Sequence, residues 1–96
     1  MPRAFVEFPD KTIKDIQIPH PKLIQEVWRG WYKIVAQRVS GLPPWKDVQG
    51  TDDLPNRYWT SYVNISTEVL EIIIMRTGCP KEEYRITIDR KARSFG

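Results

Sequence analysis

The segment from Leu23 to Val39, LIQEVWRGWYKIVAQRV, constrains this chain more than any other, because its apolar residues recur with the period of an α-helix. At about 100° of rotation per residue, Leu23, Ile34, Val27, Trp31, Ile24, Val35, Trp28, Val39 and Tyr32 spread over roughly half of the circumference. Gln25, Arg29, Lys33, Glu26, Gln37 and Gly30 fill the opposite arc, and Arg38 is the only charge inside the apolar one. A helix that covers a single core needs an apolar stripe only a little wider than about 100°. The broad arc leaves two readings. Either the helix lies in a groove and is covered on two sides by its own domain, or its Trp28/Tyr32 edge faces a partner or a second copy of the chain.

The flanks predict where the helix ends. Pro21 suits a first turn, where its missing N–H has no acceptor. Gly41 is a natural stop, and Pro43 and Pro44 forbid continuation. The expectation is a long helix over 21–40. Elsewhere the alternation of a half-buried strand recurs in 3–8 and 84–90, less cleanly in 12–18, and 57–64 is rich in β-formers. In the last of these Tyr58, Thr60 and Tyr62 are expected on one face and Trp59, Ser61 and Val63 on the other. Residues 66–77 carry conflicting signals. Ser66 as an N-cap, Glu68 in the first turn, Arg76 near the end and Gly78 beyond it favour a helix, whereas Ile72-Ile73-Ile74 favours a buried strand. The helix is taken as the expectation. The predicted fold is therefore α+β: a small antiparallel sheet of about 3–4 strands packed on a long helix 21–40 and a shorter helix 66–77.

Length places all 96 residues in a single α+β domain. Within it, 41–56 is expected to be a long loop and 91–96 a frayed basic tail. The charge of +3 is interspersed: residues 20–49 carry +3, residues 50–79 carry −2 and residues 80–96 carry +2. Such a balance permits nucleic-acid contact without demanding it. A single cysteine excludes an internal disulfide. No apolar run approaches the roughly 20 residues of a membrane span, and the first residues do not resemble a secretory signal. The expectation is a cytoplasmic protein that meets no membrane.

No residue pattern announces chemistry. His20, between two prolines, has no orienting partner at fixed spacing. Cys79 follows the C-terminal end of the expected second helix, whose dipole disfavours a thiolate. Asp52-Asp53 and Glu82-Glu83 are adjacent acids with no defined separation across a cleft. One histidine and one cysteine do not supply the three or four ligands of a zinc site, and the glycines are too dispersed for a phosphate loop. Gln37-Arg38-Val39-Ser40-Gly41 and Pro44-Trp45 resemble the Q-x-V-x-G and proline-tryptophan loops of the cystatin-type protease inhibitors. In that family the two motifs sit far apart on separate hairpins, whereas here they nearly abut, so no family expectation follows.

The chain therefore reads as a non-enzymatic interaction module with no cofactor, no metal and no catalytic residue assigned. Surplus aromatics suggest protein–protein contact, with itself as a homo-oligomer or with another protein. The interface candidates are Trp28, Tyr32, Arg38, Trp45 and Trp59. The alternative is a nucleic-acid-binding accessory protein that combines these aromatics with cations, including Arg90, Lys91 and Arg93 of the tail. A small enzyme with an unrecognised pocket is the third reading.

Overall fold

A computed structural model describes residues 1–22, 27–48, 58–76 and 78–91, with Pro80 described by its backbone alone. They form a small, compact domain. In chain order it consists of β1 (Arg3–Glu7), β2 (Ile13–Gln17), helix α1 (Val27–Arg38), a 3-10 turn (Trp45–Asp47), β3 (Tyr58–Ile65), β4 (Val69–Arg76) and β5 (Cys79–Asp89). The strands make one antiparallel sheet in the order β2-β1-β5-β4-β3.

Residues directly opposite in neighbouring strands share a face. Ala4 and Val6 of β1 pair with Ile88 and Ile86 of β5. These pair in turn with Leu70 and Ile72 of β4. All six are buried, and they form one core cluster with Trp31, Tyr32, Val35 and Val39 of the helical segment and with Ile18, Leu42, Val48 and Ile74. The molecule is thus two layers, with α1 on one face of a five-stranded sheet.

The helix expected over 66–77 is absent: its apolar part is β4. Two physical reasons reverse the expectation. Ile72, Ile73 and Ile74 are β-branched, which costs rotamer freedom in a helix and suits a pleated surface. The capping signal is genuine but serves a hairpin. The Ser66 hydroxyl oxygen accepts from the Val69 N–H at 2.9 Å and donates to the Val69 carbonyl at 2.8 Å, closing the β3–β4 turn. Gly78, at φ +81°, forms the β4–β5 turn in place of a helix stop. Among the described residues the sheet consequently has five strands, not three or four, and one α-helix packs on it.

Other boundaries shift less. The helix expected over 21–40 is described from Val27 to Arg38; Pro21 and Lys22 precede it without helical structure, and residues 23–26 lie outside the described residues. In β3 the register shifts between Thr60 and Tyr62. A bulge adds one residue and flips the rest of the strand. Tyr62 therefore shares a face with Trp59, opposite Ile73, while Val63 packs toward the core opposite Ile72. This overturns the alternation expected for the strand. Of the expected 41–56 loop, residues 41–48 are described: they hold the 3-10 turn and Val48, which bridges to Tyr58. The rest of that loop and tail residues 92–96 lie outside the described residues.

Candidate functional site

Two surfaces differ in chemistry, and they lie on opposite sides of the molecule. The first is on the helix layer. Exposed positions of α1 carry Arg29, Lys33, Gln37 and Arg38, and no acidic residue occurs between Val27 and Arg38. Beside them Pro43 and Pro44 fix the entry to the 3-10 turn, which places Trp45 against the helix. Trp45 meets Trp28 edge to face at 5.5 Å between ring centroids and tilts against Tyr32 at 6.0 Å. The Arg29 guanidinium lies 5.5 Å from both the Trp28 and Trp45 ring centroids, and the Lys33 ammonium 5.5 Å from that of Trp45. Each such contact contributes about 0.5–1 kcal/mol at an exposed site. A shallow recess of about 290 Å³ between Lys33, Ala36, Gln37, Pro44 and Trp45 borders the cluster.

The breadth of the apolar arc is explained here. Trp31, Tyr32 and Val35 face the sheet, and Trp45 covers the Trp28 flank. Tyr32 is fully buried, and its hydroxyl donates to the Pro43 carbonyl, which ties the loop to the helix. Burial raises the Tyr32 hydroxyl pKa well above the usual phenol range.

The second surface is the sheet face turned away from the helix. Among the described residues no element lies across it. At the β3–β4 half it presents Trp59, Tyr62, Ile73 and Met75, with Val69 and Phe5 further along. Tyr62 is 45% exposed and Ile13, at the far edge, 61%. The charged residues of this face are Arg3 and Arg85 against Glu7, Asp15, Glu71, Glu83 and the buried Asp89, a formal −3. Both guanidiniums already meet carboxylates: Arg3 meets Asp15, and Arg85 meets Glu83 at 3.4 Å.

The candidates divide between these surfaces. Trp28, Tyr32 and Trp45 come together, with Arg38 exposed at the end of the same helix. Trp59 lies across the sheet from them. Arg90 is half-buried, with its backbone N–H donating to the Glu68 carbonyl, and Lys91 pairs with Glu68 at 3.3 Å. Arg93, Asp52 and Asp53 lie outside the described residues. His20 is exposed and meets the Trp31 ring edge to face at 5.9 Å. Cys79 is an exposed thiol opening β5. Glu82 accepts from Arg76 at 3.1 Å, a bond that raises the Arg76 pKa. Among the described residues no three His, Cys, Asp or Glu side chains are grouped to hold a metal ion. Gln37 and Arg38 belong to α1, so the first cystatin-like fragment begins in the last turn of the helix and leaves it at Val39.

The open sheet face is not visible in the sequence. Phe5, Tyr62, Ile73 and Met75 do not stand out there, because the expected second helix absorbs Ile73 and Met75 and the β3 bulge leaves no mark. The usable signal is the alternation of Leu70, Ile72 and Ile74 with Val69, Glu71, Ile73 and Met75.

Comparison with models of protein families, with curated proteins and with solved structures finds no match. No helix among the described residues is long and apolar enough to cross a membrane.

Proposed function

We propose that this chain is a non-enzymatic binding module that works by protein–protein contact through the open face of its sheet. One observation carries the reading: Trp59, Tyr62, Ile73 and Met75 gather on a face that no described element covers. Aromatic and methionine side chains of this kind make the cores of protein interfaces. Carboxylates surround them, so the complementary partner surface is apolar at its centre and carries lysine or arginine at its rim. A second copy presenting the same face would set −3 against −3.

The test works with the partner unidentified. A random-peptide library is selected on the immobilised full-length chain. Enriched peptides should combine aromatic with basic residues, and their binding should fall at least tenfold on Trp59→Ser or Ile73→Lys while Gln37→Ala leaves it unchanged. Failure to enrich any peptide, or binding indifferent to both sheet variants, rejects the reading.

A second reading, nucleic-acid binding, is favoured by the cations held against Trp28 and Trp45, since single-strand binders pair stacking surfaces with phosphate-neutralising charge. It requires affinity for a dT oligonucleotide that falls steeply with salt and is lost in Lys33→Glu.

A further inference from the structure

Resting on the reading that the open sheet face binds protein, we propose that its partner is a second copy of this chain, docked head to tail. The helix layer of one molecule lies on the open sheet face of the next. The charges carry this orientation. Residues 27–48, which supply the helix layer, have a formal +3, with Arg29, Lys33, Arg38 and Lys46 exposed, whereas the open face has a formal −3, or −2 without the buried Asp89. The two isologous arrangements, helix layer on helix layer or sheet face on sheet face, each oppose like charges.

Shape and chemistry agree with the charges. A sheet takes a helix layer on either face, and among the described residues only the inner face has one. The slab measures 38 × 31 × 22 Å, broad enough for the roughly 800 Å² per partner that a stable pair buries. Each surface brings half-buried aromatics to the contact: Trp28 and Trp45 on one side, Trp59 on the other, where Tyr62 is still more exposed. Because the two surfaces differ, every open assembly still offers one free helix layer at one end and one free sheet face at the other. Assembly therefore continues into a ring or a short filament instead of stopping at a two-fold dimer.

Sedimentation velocity on the full chain with two charge-reversed variants tests this. E7K/E71K reverses the sheet face, and R29E/K33E reverses the helix layer. Far-ultraviolet circular dichroism confirms that each folds, and the pairs E71K/E83K and K33E/R38E replace any that does not. The wild type is expected to form species larger than a dimer between about 10 and 200 μM at 20 mM salt, dissociating at 500 mM as screening shortens the reach of surface charge. Each variant alone should be monomeric, and an equimolar mixture should associate again. A wild type that stays monomeric at 200 μM overturns the proposal, and uptake of a dT oligonucleotide by that monomer assigns the basic layer to nucleic acid instead. A helix-layer variant that still self-associates, or a mixture that remains monomeric, also overturns it. The peptide selection above is independent of self-association, so enriched peptides with a monomeric chain would sink the head-to-tail arrangement alone.

Discussion

Two backbone positions and two tyrosines show how single residues set the stability of this fold. Lys11 turns the β1–β2 hairpin at φ +72°, a left-handed conformation that costs an L-residue about 1–2 kcal/mol. Glycine is freer in the unfolded chain, which returns part of that cost, so Lys11→Gly should raise stability by about 0.5–1 kcal/mol in urea unfolding. Gly41 is the opposite case. Its φ is +98°, and a Cβ there would meet Phe8 Cε1 at 3.2 Å. Gly41→Ala should therefore cost more than about 1 kcal/mol. Tyr32→Phe removes the donor to the Pro43 carbonyl and should cost about 1–2 kcal/mol at neutral pH. The same group sets an alkaline limit. Burial, followed by the neighbouring Tyr58, pushes the Tyr84 hydroxyl up to about 12, and burial raises Tyr32 as well. A folded-state pKa above the unfolded value near 10 gives stability that is complete below about pH 10 and is lost as pH rises toward 12. Unfolding midpoints measured at pH 8, 10 and 11.5 should fall across that window, and less steeply in Tyr84→Phe.

At the scale of elements, β4 is where the fold departs most from expectation, and it yields the sharpest contrast. Ile72 and Ile74 are fully buried against the helix layer, while Ile73 between them points to the open face. Ile72→Ala should cost about 2–4 kcal/mol, as large-to-small changes in a core do, and Ile73→Ala under about 1 kcal/mol. Equal costs at the two sites would contradict the strand. The same physics decides which elements are legible in the sequence. The first hairpin and the inward faces of β1 and β5 can be read because one side is buried and the other wet, which imprints a period of two. Ile13, Ile16 and Ile18 blur that period in β2 because Ile13 sits on the outer face, opposite Glu7. β4 is illegible because isoleucine falls on both of its faces, and its Ser66 turn uses the hydrogen bonds that open a helix. The Trp28–Trp45 contact depends on where a proline-rich connection delivers Trp45, which no local period encodes. Trp59 stands out by its residue type alone, and its setting opposite Met75 becomes visible only with the sheet assembled.

On the scale of the whole molecule, the two ends of the described chain meet in the middle of the sheet. β1 has β2 on one side and β5 on the other, and its ladder with β5 joins Arg3 to Asp89 and Glu7 to Arg85. The first strand is therefore not an expendable edge. Deleting residues 1–7 removes Ala4 and Val6 from the core, strips β2 of its sheet partner and leaves Ile86 and Ile88 on a bare edge. Cooperative unfolding should be lost, because the remaining strands cannot close the core over α1. A synthetic peptide spanning residues 1–8, added in excess, should restore part of the native tryptophan fluorescence, since the missing strand carries every backbone group its two neighbours require. If the truncated chain still unfolds in one sharp transition, β1 does not hold the centre of the sheet. The same connectivity sets the folding rate. A ladder between the first and last strands closes nearly the full chain length before it gains any contact, so refolding of the intact chain should take milliseconds to seconds. The early β3–β4–β5 meander should form first, and Val6→Ala should slow folding less than Ile72→Ala does for the same loss of stability. Stopped-flow tryptophan fluorescence on the two variants measures that ordering directly.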